Sequence, residues 1–160
     1  MGVGTKKEKE YYENGVEVIV EKFIDGILYG VPFLNTKEGT PIIATPHYST
    51  SDKKGNLITN SQKRRTEGGM SIHLSKDKHF NKKLISISKK YFLHIQPCDY
   101  ARIDYIVEKS TGEPYFLEVN AMMNLGIHSA SVKSLLNCGF ENYDEIILHI
   151  LDLGFSRLNK

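Results

Sequence analysis

The sequence predicts an α+β fold in which helices pack on a mostly antiparallel sheet. Two observations support this class: the segments follow one another as strands, helix, strands and helices, and no internal repeat interrupts that order. With 160 residues, 40% of them hydrophobic, the chain has the size and apolar content of one globular domain. We therefore expect a loose start over residues 1–15 and a single domain over residues 16–160.

The N-terminal part of the chain predicts three strands. Val16–Ile24 alternates β-branched residues, and Asp25-Gly26 favours a tight turn into a second strand, Ile27–Leu34. A third, short strand is predicted at Pro41–Thr45. These segments form the first antiparallel part of the predicted sheet.

A long segment with few large apolar residues follows, at about 46–69. Loops of this length in compact domains are usually functional lids or disordered stretches. The segment carries five basic residues: Lys53, Lys54, Lys63, Arg64 and Arg65. We expect a lid that closes over an anion.

The remaining sequence predicts three helices. Apolar residues recur at spacings of three and four from Lys76 to Ile95, which is typical of an amphipathic helix that covers a sheet. Two closing helices are predicted at Ser131–Asn137 and Tyr143–Leu158. Gly139 is the expected stop of the first, and Asn142 is the expected N-cap of the second.

Two strands that precede the closing helices, Tyr100–Glu108 and Pro114–Asn120, carry the residues of greatest chemical interest. The turn between them resembles a three-residue hairpin loop, in which Gly112 takes a left-handed conformation. If Lys109 faces Glu113, this turn fixes the register of the whole strand pair.

That register places Asp104 opposite Glu118 and Arg102 opposite Asn120. The same face carries two further residues, Ile106 and Phe116. The opposite face is more apolar and is expected to pack in the core; its residues are Ala101, Ile103, Tyr105, Val107, Tyr115, Leu117 and Val119.

Like charges directly opposite each other on paired strands destabilise a sheet, so something must offset the repulsion between Asp104 and Glu118. A hard cation does so by taking carboxylate and amide oxygens as ligands, and Mg²⁺ leaves its other positions to water and phosphate. Asn120 supplies the amide. An exposed hairpin whose charges simply face water is the alternative.

The strings ARIDYIV, YFLEVN and IHSAS resemble the C-terminal half of the ATP-grasp ligases, and most nearly the D-alanine–D-alanine ligases. The resemblance covers about residues 16–160. It implies an ATP- and Mg²⁺-dependent carboxylate–amine ligase that acts through an acyl phosphate, with Mn²⁺ as a substitute metal. Implied partners are ATP and small, amino-acid-like carboxylate and amine substrates.

The resemblance also implies roles for single residues. Arg102 would stabilise the acyl phosphate and the tetrahedral intermediate, and His128 and Ser129 fall where the family holds the substrate carboxylate. The implied magnesium ligands are Asp104, Glu118 and Asn120. VEVIVEKFIDG matches the family's hinge strand, so the implied nucleotide-binding residues are Glu21, Lys22, Phe23, Ile24 and Ile106.

Departures from the family pattern affect two expectations: which substrate is used, and whether the chain is a whole ligase or a part of one. Leu28 stands where the ligases usually place a second glutamate for the ribose, and residues 121–126 replace their Pro-Gly turn, so D-alanine is not assumed as substrate. MGVGTKKEKE stands where a glycine-rich phosphate loop would end. We therefore expect a fragment, or a partial subunit that needs an N-terminal portion or a second subunit.

Two other classes of function stay open. One is a non-catalytic ATP-grasp remnant that binds nucleotide or metal. The other is an α+β interaction domain with a charged hairpin, which predicts no ATP or Mg²⁺ binding.

Charge and cysteine content favour a cytoplasmic protein without nucleic-acid or membrane partners. Basic residues number 21 and acidic residues 19, so the net charge of +2 does not indicate a polyanionic partner such as nucleic acid. Cys98 and Cys138 are too few for a disulfide-rich secreted scaffold. No apolar run approaches the roughly 20 residues of a membrane span, and the first residues do not resemble a signal peptide.

Overall fold

The computed structural model describes residues 13–15, 17, 21–51 and 70–158. Six strands and three helices are assigned in these ranges, in an α+β arrangement that confirms the expected class. In chain order they are β1 (Gly26–Leu34), β2 (Ile42–Ile43), β3 (His47–Ser51), β4 (Met70–Leu74), α1 (Lys78–His94), β5 (Tyr100–Glu108), β6 (Pro114–Asn120), α2 (Ala130–Leu136) and α3 (Tyr143–Leu158).

The strands form one antiparallel sheet with the order β4-β3-β1-β5-β6, and β2 pairs beside β1. Strand β1 pairs with β5 along its whole length, from Gly26 opposite Glu108 to Leu34 opposite Tyr100. This full-length pairing fixes the side chains of the two central strands relative to each other.

Helix α1 covers one face of the sheet. Its N-cap is Asp77, whose carboxylate accepts hydrogen bonds from the backbone N–H groups of His79 and Phe80, each at 3.0 Å. Ser88 on the helix shares a 2.9 Å hydrogen bond with the hydroxyl of Tyr105 on β5. The buried cluster between helix and sheet consists of Val31, Phe33, Leu84, Phe92, Ala101, Ile103 and Tyr105.

Helices α2 and α3 close a second core. The Ser129 hydroxyl caps α2 by accepting from the N–H of Val132 at 3.2 Å, and Asn142 accepts from the N–H of Glu145 at 2.9 Å, as expected for an N-cap. This core consists of Leu34, Ala44, Met123, Val132, Leu135 and Ile146. Among the described helices, none is long and apolar enough to cross a membrane.

The predicted first strand is wrong where the structure describes it. Residues 21–25 form no strand, and the hairpin at Asp25-Gly26 is absent; Val16 and residues 18–20 lie outside the described residues. The reason is that both edges of β1 are occupied, one by β5 and the other by β3 and β2. Among the described residues, β3 takes positions Leu28–Gly30 of the edge that a strand preceding β1 would need.

The region predicted as a lid contains a strand at its start. His47–Ser51 is β3, which pairs with β1 and with β4, a strand that the sequence did not predict. The sequence HYSTS hides this strand because its side chains are mostly polar. Residues 52–69 lie outside the described residues, so a lid there stays a prediction.

The turn between β5 and β6 is one residue longer than predicted. The N–H of Glu108 donates to the carbonyl of Glu113 at 3.0 Å, so residues 109–112 form a four-residue loop. Gly112 has the expected left-handed conformation, with φ of 71°. The longer loop shifts the register, so that Ile106 faces Tyr115.

A bulge between Asp104 and Tyr105 shifts the register back. Beyond it, Asp104 faces Glu118 as predicted. Between the turn and the bulge, the predicted faces of β6 are wrong. Phe116 was expected on the face of the acidic residues, but its ring stacks on Tyr91 of α1, with ring centroids 4.6 Å apart. Tyr115 and Leu117, expected in the core, are exposed.

Candidate functional site

A row of residues crosses the sheet on the face opposite α1. His47 on β3, Gly30 on β1, Asp104 on β5 and Glu118 on β6 are successive register partners. Neighbouring strands lie only about 4.8 Å apart, so the row brings groups from four strands together. The next row places Arg102 opposite Asn120.

These two rows open into a cavity of about 660 Å³. The predicted catalytic, metal-ligating and substrate residues all line it: Arg102, Asp104, Glu118, Asn120, His128 and Ser129. The first four come from the strand pair, and the last two come from the segment that leads into α2. The structure therefore places these six residues around one cavity, and their roles stay predictions.

Arg102 and Asp104, which lie two residues apart on β5, form a bidentate ion pair. Arg102 Nε donates to Asp104 Oδ1 at 2.5 Å, and Arg102 Nη2 donates to Asp104 Oδ2 at 2.7 Å. The hydrogen bond to Asp104, and the negative charges of Asp104 and Glu118, raise the pKa of Arg102 although burial opposes this. The guanidinium therefore offsets part of the repulsion between the two carboxylates.

The donors in the cavity fit a hard divalent cation. Asp104, Glu118 and Asn120 supply two carboxylates and one amide, which suits Mg²⁺ because it keeps several waters. A carboxylate offers about four lone-pair sites, so Asp104 retains acceptor capacity beside Arg102. In the described part of the chain no group of three His, Cys, Asp or Glu side chains is placed to hold a metal ion.

His47 and Gly30 belong to the site and were missed by the sequence analysis. His47 is only 4% exposed, and its Nδ1 lies 3.0 Å from the hydroxyl of Ser134 on α2. A Cβ on Gly30 would meet His47 Nε2 at 2.6 Å and Arg102 Cδ at 2.8 Å, so only glycine leaves room for both side chains. The glycine inside the strand pattern is the signal in the sequence that could have indicated this position.

His47 is uncharged near neutral pH. Burial, and secondly the positive charge of Arg102, lower the pKa of His47 from 6.5 to about 4. The cavity thus holds a neutral imidazole beside a permanent cation and two carboxylates.

The sequence profile of the family described as "D-ala D-ala ligase C-terminus" matches residues 7–152. The chain belongs to that family. The resemblance to the C-terminal half of the ATP-grasp ligases is thereby confirmed.

The chain is also similar to individual D-alanine–D-alanine ligases. The D-alanine–D-alanine ligase of Aquifex aeolicus is 33% identical over 105 residues, which is 66% of this chain and 33% of that protein. The D-alanine–D-alanine ligase structure from Bacillus anthracis matches 94% of this chain and 46% of its own, at 17% identity and a TM-score of 0.68. A second structure of that ligase, complexed with ATP, matches 97% and 50%, at 19% identity and a TM-score of 0.64.

At these identities the solved structures support the fold alone. The chain spans half or less of the length of each of these relatives.

The predicted hinge residues of the D-alanine–D-alanine ligase domain lie before β1 and outside the lining of the cavity. They are Glu21, Lys22, Phe23 and Ile24, and Phe23 is 68% exposed. Ile106 lies on the cavity face of β5 and leans over Gly26, whose added Cβ would meet Ile106 Cγ1 at 2.6 Å. Its register partner Leu28 lines the cavity. The nucleotide role of these residues stays a prediction.

Proposed function

We propose that this chain is the catalytic part of an ATP- and Mg²⁺-dependent carboxylate–amine ligase that acts through an acyl phosphate. One observation carries the proposal: a permanent cation, two carboxylates and an amide converge in one cavity of a D-alanine–D-alanine ligase C-terminal domain. This combination suits reactions in which negative charge develops on a phosphoryl or acyl group.

In this proposal Asp104, Glu118 and Asn120 hold the magnesium ion. When bound, the metal would neutralise phosphate charge and orient the phosphate oxygens. Arg102 stabilises negative charge on the acyl phosphate and on the tetrahedral intermediate, because its guanidinium stays charged and is already fixed beside Asp104.

Two residues at the start of α2 would hold the substrate carboxylate. The Ser129 oxygen already accepts a hydrogen bond from the N–H of Val132, so its own O–H is available to donate. His128 is exposed at the cavity wall and supplies a second donor. Both groups would orient the carboxylate toward Arg102.

The adenine would lie against the apolar end of the same sheet face. Leu28, Ile106 and Tyr115 form a register row next to the acidic row, and a flat base packs well on such a surface. The backbone of Glu21, Lys22, Phe23 and Ile24 would hold the edge of the base. An N-terminal portion or a second subunit would supply the opposite wall, and the substrates would be ATP, a small carboxylate and an amine.

Thermal unfolding with and without Mg²⁺ and ATP tests the metal and nucleotide site. A ligand that binds only the folded state at 100 times its Kd stabilises that state by about 2.7 kcal/mol, so the melting temperature should rise by several degrees. D104N and E118Q should abolish the rise. The matched control is E113Q, which lies on the same hairpin outside the cavity and pairs with Lys83. No rise in the wild-type chain contradicts the proposal.

Phosphate release on addition of amino acids separates a ligase from a non-catalytic remnant. Arg102→Ala should keep most of the nucleotide-dependent rise in melting temperature but lose phosphate release, because Arg102 acts on developing charge. Stabilisation by ATP without phosphate release from any carboxylate and amine pair would favour the remnant.

A further inference from the structure

One buried side chain of the cavity wall, His47, has no role in the proposed chemistry. It is 4% exposed, and its backbone is fixed by the sheet, because it pairs with Gly30 on β1 and with Leu74 on β4. A buried polar side chain needs a hydrogen-bond partner, and that partner sets the orientation of the ring.

The partner of the ring is Ser134 on α2. The Ser134 hydroxyl shares a 3.0 Å hydrogen bond with His47 Nδ1, and Ser134 is 0% exposed. Helix α2 is held in the second core by Val132 and Leu135, which are fully buried. The hydrogen bond therefore ties the imidazole ring to a helix that is itself fixed by packing.

The other edge of the ring borders Arg102. A Cβ on Gly30 would lie 2.6 Å from His47 Nε2 and 2.8 Å from Arg102 Cδ, so the two side chains share the small space above Gly30. Arg102 Cδ is the carbon that carries Nε, the nitrogen that donates to Asp104 Oδ1. The ring thus limits where the last methylene before the guanidinium can lie.

This limit matters because Asp104 has two tasks. Asp104 holds the guanidinium of Arg102 through two hydrogen bonds, and the proposed function also assigns its carboxylate to the metal. A carboxylate shared with Mg²⁺ has fewer lone pairs left for the guanidinium. A contact at Cδ confines the flexible arginine side chain without competing for the metal.

We propose that His47 is a positioning residue, which together with Ser134 fixes the guanidinium of Arg102 relative to the substrate site at the start of α2. Ser129, the proposed holder of the substrate carboxylate, caps the same helix that carries Ser134. The inference rests on the proposed function for what Arg102 does in the reaction. The placement of Arg102 is measurable without turnover.

Nuclear magnetic resonance of the arginine Nε–H groups in the full chain tests that placement. The wild-type Arg102 signal, assigned by its loss in R102K, should be protected from exchange with water because Nε donates to Asp104. S134A and H47L break the link at two different points, and each should shift this signal and speed its exchange by roughly tenfold. An unchanged signal in both variants overturns the proposal.

S88A is the matched control. Ser88 is 1% exposed and shares a 2.9 Å hydrogen bond with Tyr105, whose ring lies on the opposite face of the sheet. S88A should therefore destabilise the chain about as much as S134A and leave the Arg102 signal unchanged. An equal shift in S88A would assign the effect to lost stability and would overturn the proposal.

The double variant distinguishes a link from two independent contacts. If Ser134 acts on Arg102 through His47, S134A should add no further shift in the H47L background. Fully additive shifts would mean that the two residues act on Arg102 separately, which overturns the link.

Phosphate release connects the placement to the reaction. A misplacement of about 1 Å can cost about a hundredfold in rate, so S134A and H47L should lower kcat roughly ten- to a hundredfold. The KM for ATP and the nucleotide-dependent rise in melting temperature should stay near the wild-type values, which also shows that the variants fold. A raised KM with unchanged kcat overturns the positioning role. No phosphate release from the wild-type chain contradicts the ligase proposal alone, because the resonance data still decide whether His47 places Arg102.

Discussion

The two faces of the sheet differ sharply although their residues alternate along the same strands. One register row packs against α1 or beside it and is aromatic at every position: His73, Tyr48, Tyr29, Tyr105 and Phe116. The row one residue further along faces the cavity and has no aromatic ring apart from the histidine: His47, Gly30, Asp104 and Glu118.

This comparison indicates that the aromatic face mainly stabilises the fold, whereas the cavity face mainly carries the groups that would bind ligands. In the aromatic row, ring centroids lie 5.3 Å apart for Tyr29 and Tyr48, and 6.4 Å apart for Tyr105 and Phe116. Such pairs add to the burial of apolar area. In the cavity row, an ion pair and a glycine take the place of packing. Substitutions on the first face should therefore have the larger effect on folding, and substitutions on the second should affect ligand binding as well as folding.

Replacement of Tyr105 should have the largest effect. Tyr105 is 1% exposed and hydrogen-bonds to Ser88, so Y105A should lower the free energy of unfolding by about 3–5 kcal/mol through the cavity that it leaves. Y105F removes only the hydroxyl and should cost about 1 kcal/mol. Denaturant unfolding measures both. A loss below about 1 kcal/mol for Y105A would remove the distinction between the two faces.

The second effect is a pH dependence that arises on the cavity face. His47 has its pKa lowered from 6.5 to about 4, so the unfolded chain binds more protons between these values. The contribution of neutral His47 to the free energy of unfolding should be fully present above pH 6.5. It should be lost as the pH drops toward 4, by about 3 kcal/mol at most. Urea unfolding at pH 7, 5.5 and 4.5 measures the decline.

The variant H47L should flatten that decline, whereas H79A, which alters an exposed histidine of α1, should leave it in place. The charged and polar groups beside His47 are Arg102 and Ser134. An equal decline in H47L and the wild-type chain would assign the pH dependence to other groups.

The smallest effect concerns the glycine at the centre of the cavity row. G30A should lower the free energy of unfolding by about 1–3 kcal/mol, because the new Cβ would meet His47 Nε2 at 2.6 Å and Arg102 Cδ at 2.8 Å. By moving Arg102 it should also reduce phosphate release, while most of the nucleotide-dependent stabilisation remains. G154A is the control: it lies in α3 with nothing within 4 Å of the added Cβ, and should raise stability by about 0.5–1 kcal/mol.

If G30A and G154A shift stability in the same direction, the crowding above Gly30 is not the reason for glycine at that position.

Local signals in the sequence were sufficient for the helices, whereas the predicted pairing of Asp104 with Glu118 is right only because the bulge offsets the extra residue of the loop. Helical periodicity and N-caps act within a few residues, so α1, α2 and α3 lie within two residues of their predicted bounds. The site face of β5 was predicted because alternation along a strand is a local rule.

Long-range pairing explains most of what was missed. Whether residues 21–24 join the sheet depends on β3 and β5 competing for the edges of β1, which no local pattern records. His47 reaches the site through its pairing with Gly30, and its polar neighbours concealed the strand. The hinge residues, the metal and the lid are still predictions.

The turn and the bulge of the β5–β6 hairpin have a consequence for how its length can vary during evolution. The loop carries one residue more than the predicted turn, and the bulge absorbs that residue before the strand reaches Glu118. Deleting either residue alone would rotate the acidic side chain of β6 to the wrong side of the sheet. Insertions and deletions in this hairpin should therefore occur in compensating pairs, one in the loop and one at the bulge.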